Sequence, residues 1–355
     1  GSGVALGQLG LQYHLNWENN WSATIIANAF ADKGNNNIGL TESYIQYKGL
    51  PNAQGWRVKS KIGIFYPKIS IENISTAWST PYTLTTSSLN NWVGEELRNT
   101  GANFSLEKLG KAHKSPHSFA VDISLFQNND TAGAMLSWHG WTIGSRQTLL
   151  QEKLLVQNFP ARQDMLAEQA EKSDPLVELD NRWGTNLALT WRYQNKVKIQ
   201  LGYYDNHAKK GLVEKGQYTW TTEFSHLAVK YSIAPQWEVI GQFMQGATLM
   251  ESPFGEAVVD NDFDNAFVLI RKKWQNSHLA LRLEHFNVKD LDNTLGDDNN
   301  ESGNSVTFAY RYQLNKQSFL MAEYNWLYSD RPSRYYVHQA VELIERQYQL
   351  CYRYY

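Results

Sequence analysis

The stretch Gln8-Leu-Gly-Leu-Gln-Tyr-His-Leu-Asn-Trp17, followed by Glu18-Asn19-Asn20 and then Trp21-Ser-Ala-Thr-Ile-Ile-Ala-Asn-Ala-Phe30, decides the fold. In its first arm Leu9, Leu11, Tyr13, Leu15 and Trp17 alternate with Gln8, Gly10, Gln12, His14 and Asn16. In the second, Trp21, Ala23, Ile25, Ala27 and Ala29 alternate with Ser22, Thr24 and Asn28. Successive side chains of a strand point to opposite faces, so each arm is a strand with one greasy and one polar face. The three polar residues between them make a tight turn, and the whole is a hairpin with tryptophan on both shoulders.

The construction recurs along the chain. Leu187, Leu189, Trp191 and Tyr193 alternate with polar or small residues, turn at Gln194-Asn195-Lys196, and are answered by Val197, Ile199, Leu201 and Tyr203. Further matches are Phe119/Val121/Ile123/Leu125, Leu279/Leu281/Leu283, Val306/Phe308/Tyr310/Tyr312, Leu320/Ala322/Tyr324/Trp326 and Tyr348/Leu350/Tyr352/Tyr354, beyond which Tyr355 exceeds the phase by one. Ile38-Lys48, Gly94-Leu106, Tyr218-Tyr231 and Asn265-Trp274 alternate less cleanly and are also read as strands. With a tight turn at Trp138-Trp141 and a strand over Thr142-Leu150, the count reaches about 17, and because single-chain bacterial barrels have even numbers the expectation is 16 to 18.

Connections fall into two classes. Glu18-Asn20, Gln194-Lys196, Ser232-Gln236, Gln275-Ser277 and Asn315-Gln317 are tight, whereas about 66-92, 151-182, 247-264 and 287-304 are long. That asymmetry is the one between the periplasmic turns and extracellular loops of outer-membrane barrels. Trp17, Trp21, Tyr47, Trp56, Trp191, Tyr193, Tyr231, Trp237, Trp274 and Tyr312 stand beside the short turns, as an aromatic girdle at one membrane interface would. The expected fold is therefore all-β, a transmembrane antiparallel up-and-down β-barrel forming one domain over residues 1-355. Residues 66-92 are expected to fold inward as a constriction loop, and 151-182 to form a long extracellular loop with a short helix in Ala161-Lys172.

Composition agrees. With 13 Trp, 20 Tyr and 14 Phe the chain is rich in aromatics, yet its mean hydropathy is −0.51, because only alternate residues of a barrel strand touch lipid. No apolar run approaches the roughly 18 residues of a membrane-spanning helix. One cysteine, Cys351, excludes an internal disulfide, and no CxxC, CxxCH or zinc-ligand spacing exists. A net charge of −2 gives no reason to expect nucleic acid as a partner. The start at Gly1-Ser2-Gly3 shows no export signal, so a processed chain is expected, placed in the outer membrane of a Gram-negative bacterium.

For function the sharpest feature is the strand Trp56-Ile64, where Arg57, Lys59 and Lys61 share the face opposite Trp56, Val58, Ile62 and Ile64. Like charges two strand rises apart, about 6.5 to 7 Å, repel unless something negative lies between them. Arg98, Arg192, Lys198, Lys230, Arg282, Arg311 and Arg353 share the lumen phase, and rings of cations are a device of anion pores. Glu42, Asp122, Glu238, Glu284 and Glu323 share it too, so a neutral cross-lumen network stays open as the other reading. Asp290, Asp292, Thr294 and Glu301 have the oxygen spacing of a calcium loop with its glycine displaced by one, and Asp260, Asp262 and Asp264 form a similar cluster; solvated loop carboxylates are the default for both. His113, His139, His226, His278, His285 and His338 form no ligand motif, and no nucleophile elbow appears.

Lys61-Ile-Gly-Ile-Phe-Tyr-Pro-Lys-Ile-Ser-Ile-Glu72, preceded by Glu42 and Tyr44, resembles the glycine, aromatic, proline and Ser-x-Glu pattern of the phosphate-selective porin O/P family over about residues 38-75. The resemblance implies a substrate-selective anion channel, commonly a homotrimer, with basic residues at the constriction. Of that family's ladder only Arg57, Lys59 and Lys61 can be placed. The expected activity is passive diffusion of small hydrophilic solutes with a preference for anions such as phosphate, needing no cofactor and no catalysis. The expected partners are small anionic or hydrophilic solutes, outer-membrane lipid and lipopolysaccharide. The alternative is a structural or interaction barrel serving as sheath or receptor for a partner protein.

Overall fold

The computed structural model describes residues 8–30 and 38–354; the Gly1-Ser2-Gly3 start and Tyr355 lie outside the described residues. One sheet carries fifteen strands in chain order. They are β1 (Gln8–Trp17), β2 (Trp21–Phe30), β3 (Ile38–Lys48), β4 (Trp56–Phe65), β5 (Asn99–Lys108), β6 (His117–Gln127), β7 (Gly184–Tyr193) and β8 (Val197–Asp205). There follow β9 (Trp220–Ala234), β10 (Trp237–Glu251), β11 (Ala257–Trp274), β12 (Ser277–Asp290), β13 (Glu301–Gln313), β14 (Ser318–Asp330) and β15 (Glu342–Tyr354). Two helices, α1 (Ser88–Glu96) and α2 (Ala134–Trp138), lie in the connections. All neighbours pair antiparallel, and Trp17 faces Trp21 across the first turn, as the opening hairpin requires.

Alternation sets the two faces. Leu189, Leu201, Leu227, Phe243, Val268, Leu283 and Phe308 are exposed on the outside, whereas Thr190, Gln200, Ala228, Gln242, Phe267, Arg282 and Thr307 one position away are buried inside. Lipid is the only solvent that favours a continuous apolar outer band of this kind. At the short-turn rim Trp21 and Tyr47 are cross-strand partners with rings 5.3 Å apart. There too the ammonium groups of Lys272 and Lys108 lie over the rings of Trp237 and Trp56, at 4.8 and 5.3 Å from their centres.

The sheet is curled rather than flat, because one inserted stretch reaches inward residues all round it. Residues 66–88 hydrogen-bond to Gln12 on β1, Glu42 on β3, Gln200 on β8, Gln242 on β10, Glu284 on β12 and Glu323 on β14. Fifteen antiparallel strands leave β1 and β15 at the ends of the sheet and running the same way. Their lipid-facing residues are among the barest, Leu11 at 69% and Leu350 at 80% against 44% for Leu189, since among the described residues each strand has a neighbour on one side alone.

Several readings of the sequence are corrected. The expectation of 16 to 18 strands gives way to fifteen among the described residues. Trp138 closes α2 instead of opening a turn, and Thr142-Leu150 holds no strand beyond an isolated bridge from Gly144 to Thr86. Gly94-Leu106 divides between the end of α1 and β5. The loops expected at 247-264 and 287-304 shrink to 252–256 and 291–300, because β10 to β13 climb past the lipid band with Asp260, Asp262 and Asp264 turned outward to water. Ala161-Lys172 holds the end of a 3-10 turn, Pro160–Gln163, and further turns, with Ala161 and Leu166 buried. Each of these stretches faces protein or water instead of lipid, so the lipid-strand period does not govern it.

The outward face supplies a direct test. Leu189→Arg is expected to cost about 2–4 kcal/mol of unfolding free energy in phospholipid vesicles, and Trp17→Arg at the rim only about 0–1 kcal/mol. Equal costs by urea titration overturn the assignment of the band.

Candidate functional site

Pro67 cannot donate to a sheet ladder, and two residues before it β4 ends at Phe65. The chain then enters the lumen and must satisfy its backbone there. It does so with its own hydroxyls, amides and carboxylates. Ser87 caps α1, its side chain accepting from Asn90 N. Glu72 Oε1 accepts from Ser87 N at 2.7 Å, Ser87 Oγ at 2.6 Å and Asn90 Nδ2 at 2.9 Å.

Arg282 of β12 ties this stretch to the wall. It is fully buried and donates to Glu284 Oε1 at 2.6 Å, Glu72 Oε2 at 3.5 Å, Thr85 O at 2.8 Å and Thr86 O at 2.9 Å. Glu284 Oε2 accepts from Ser88 N at 2.8 Å, and Glu323 Oε1 accepts from Thr85 N at 3.1 Å and Thr85 Oγ1 at 2.7 Å. A guanidinium satisfied on all sides by charge-assisted bonds is the arrangement in which a buried ion pair is tolerated.

The upper lumen is apolar, which the sequence reading did not anticipate. Leu89, Trp92 and Val93 of α1, with Trp141, pack against inward-phase Phe224, Met244, Phe263 and Phe286. Trp92 stands edge-on to Trp141, Phe224 and Phe263 at 5.8, 5.6 and 5.3 Å between ring centres. Phenylalanines in the lumen phase were the signal: a wet pore has no use for them. Glu96 joins α1 to α2, its carboxylate accepting from Trp92 Nε1 at 2.6 Å, Gly133 N at 3.1 Å and Met135 N at 2.9 Å. Buried without a cation, it is pushed up from 4.5 to about 7 by desolvation.

Below this filling, toward the short-turn rim, the lumen is basic and open. A cavity of about 270 Å3 is lined by residues that include Lys59, Lys61, Lys68, Asn103, Asp122 and Trp78. Beside it a transverse row crosses three strands, with Lys198 of β8 directly opposite both Arg192 of β7 and Lys230 of β9. Like charges directly opposite one another are destabilising in a sheet. Lys230 is neutralised by Glu238 at 2.8 Å, which also holds Arg271 at 3.1 Å. Arg192 and Lys198, like Lys61, have no carboxylate within ion-pair distance among the described residues. Above the row, Asn186, Thr190, Gln200 and His226 bury polar atoms that have no hydrogen-bond partner among the described residues, while Gln200 Nε2 donates to Lys68 O and Ile69 O of the inserted stretch at 3.1 Å each.

The cations singled out in the sequence therefore separate. Arg57 and Lys59 both bind Glu107 of β5, Lys59 at 2.7 Å, so the wall supplies the negative group their repulsion demands. Lys61 sits 4.1 Å from the centre of the Tyr44 ring and 5.1 Å from that of Phe65. Arg98 and Arg282 are buried and cannot meet a solute, Arg98 donating to Thr41 O at 3.0 Å. Arg311 lies 3.8 Å over Phe319 and donates to Gln313 Oε1, with Arg353 over the same ring at 5.8 Å. Lys68, paired with Asp122, and Arg271 escaped the sequence reading because one lies in a loop and the other in a strand whose alternation is poor. Asp290, Asp292 and Glu301 do not converge: Asp290 and Asp292 accept from loop backbone, whereas Glu301 turns inward to Trp141 N at 2.9 Å. Asp260, Asp262 and Asp264 do not assemble into a cation site either; among the described residues only Asp130, Glu178 and Asp180 bring three such ligand atoms together.

No protein-family model and no curated protein matches the sequence. Solved structures match over nearly the whole chain. A loop-deleted OmpT, an outer membrane protein of Vibrio cholerae, aligns with 98% of this chain and 89% of its own at 10% identity and a TM-score of 0.53. OprB of Pseudomonas putida aligns with 97% and 87% at 11% identity and a TM-score of 0.53. The outer membrane channel DcaP of Acinetobacter baumannii aligns with 98% and 84% at 9% identity and a TM-score of 0.52. The likeness is one of fold: a porin-like transmembrane barrel, a fold of the outer membrane of Gram-negative bacteria.

Two outcomes follow from this geometry. Arg282→Leu strands Glu72 and Glu284 without their cation and is expected to cost about 3–5 kcal/mol in urea unfolding; a loss below about 1 kcal/mol contradicts the buried pairing. For Glu96 the folded group holds its proton more tightly than the unfolded one. Its contribution is therefore complete below about pH 4.5 and is lost as pH rises through about 7. Hydrogen exchange, corrected for intrinsic rates, is expected to show residues 88–98 and 133–138 better protected at pH 5 than at pH 8, and Glu96→Gln to flatten the difference. Equal protection in the parent protein contradicts it.

Proposed function

We propose that this barrel is an outer-membrane channel for small hydrophilic solutes that favours anions. The observation that carries the reading is the row Arg192, Lys198 and Lys230, directly opposite on adjacent strands, with two of its three charges lacking a carboxylate. Such a row lowers the barrier to entry of an anion, and binding weak enough to permit exit completes the requirement for passage. Lys61 and Lys68 continue the positive surface into the cavity. Because the upper lumen is packed, passage is narrow and the conductance is expected to be small. Phosphate, implied by the resemblance of residues 38-75, is one of the anions this surface suits.

The packed lumen also favours a second reading, a barrel that serves as a receptor or sheath and conducts nothing. Planar-bilayer recording separates the two. Small ohmic steps with a reversal potential on the anion side in a potassium chloride gradient support the channel, and folded protein that gives no steps rejects it. Arg192→Gln with Lys198→Gln is expected to move the reversal potential toward cations, whereas Arg57→Gln, already tied to Glu107, moves it less. An unmoved reversal potential in the double variant removes the row from the solute's route.

A further inference from the structure

The vestibule cavity has two unlike walls. Lys59 and Lys61 of β4 make one side cationic, and Lys61 carries no carboxylate, only aromatic faces, against its ammonium group. Another part of the lining is Trp78, carried on an unusual backbone. Ala77 and Trp78 have φ of 55° and 52°, the left-handed region that residues with a side chain seldom adopt. Their backbone is held by Gln147 Nε2 donating to Ala77 O at 2.8 Å and Asn73 Nδ2 donating to Trp78 O at 2.8 Å. None of these bonds uses the indole, and glycine or asparagine would adopt the turn at less cost. What tryptophan adds is a flat ring, stacked on Tyr66 with centres 4.0 Å apart and planes 19° apart, in the wall of a polar cavity.

Between the two walls lie amides and hydroxyls. Asn103 Nδ2 donates to Ser124 Oγ at 3.0 Å and to Ile123 O at 3.3 Å, which leaves the Asn103 carbonyl to a solute. Asp122 is bound by Lys68, so its charge is compensated while its second oxygen remains an acceptor. The volume, about 270 Å3, is roughly the share of nine waters, more than a bare inorganic anion fills and slightly below the range of drug-sized pockets.

We propose, resting on the channel reading above, that this cavity is a binding subsite for a hydroxylated organic anion of the sugar-acid class. The carboxylate lies toward Lys61 and Lys59, the hydroxyls exchange hydrogen bonds with Asn103 and Asp122, and the C–H face of the carbon chain packs on Trp78. A neutral sugar forgoes the lysines. An inorganic anion forgoes the ring and has no hydroxyls to exchange with Asn103 and Asp122.

The test uses the full chain refolded in detergent and titrated calorimetrically with gluconate, glucose and inorganic phosphate. Gluconate is expected to bind at least ten-fold more tightly than either of the others. Trp78→Ala and Lys61→Gln are each expected to weaken it about ten-fold, and Trp78→Phe to restore most of the loss. Thermal melting confirms that the variants fold, and Trp78→Phe reports on the ring should Trp78→Ala not fold. Phosphate binding as tightly as gluconate, or gluconate binding that ignores both Trp78 variants, overturns the proposal. Bilayer current in chloride alone tests the channel separately: a conducting protein that ignores gluconate loses the subsite and keeps the channel, and one that binds gluconate without conducting does the reverse.

Discussion

The guanidinium of Arg282 is where the wall of this barrel and the material inside it become one structure. It has no access to water, so its donors must be met by protein, and the wall meets them only in part, through Glu284 and Thr307. Glu72, Thr83 and the carbonyls of Thr85 and Thr86 complete the set. Residues 66–98 are therefore required inside by charge compensation as well as by apolar contact. The packed upper lumen and the open basic space beneath it both follow from where that stretch is held.

Much of the wall was legible in the sequence because a strand against lipid writes its environment locally. Leu9 to Trp17 needs only lipid on one side and something polar on the other, and both demands appear within ten residues. The rims were legible for the same reason, since turn residues and interfacial aromatics are short-range signals. Trp138-Trp141, Thr142-Leu150 and Gly94-Leu106 misled because their partners are distant parts of the chain. Trp141, for example, packs on Trp92, Phe263 and Phe286. Within the wall, Phe224, Phe263, Phe267 and Phe286 kept the period but inverted its chemistry, apolar toward the lumen, and that inversion is the local trace of a filled barrel.

The candidate site was legible in phase but not in partnership. Alternation placed Arg57, Lys59, Lys61, Arg192 and Lys198 on the lumen side. Which of them is neutralised depends on register: Glu107 lies directly opposite Arg57 on β5, whereas Lys198 faces two cations. Arg98 and Arg282 share the phase and yet serve the packing, because phase specifies a face and says nothing of depth. Trp78 and Lys68 sit in a connection without period, and only the folded chain brings them to Lys61.

The hydrogen bonds from the inserted stretch to the far wall also set an order of assembly. Ser88 reaches Glu284 across 196 positions of sequence, and Thr85 reaches Glu323 across 238. Contacts of such separation form late, after the loop-closure entropy of most of the chain has been overcome. Until β12 and β14 are in place, Glu72, Thr85 and Ser88 have none of these partners. Completion of the wall and fixing of the material in its bore are thus coupled: β1, β3, β8 and β10 hold the stretch at one side, and the far side closes on it only with β12 and β14.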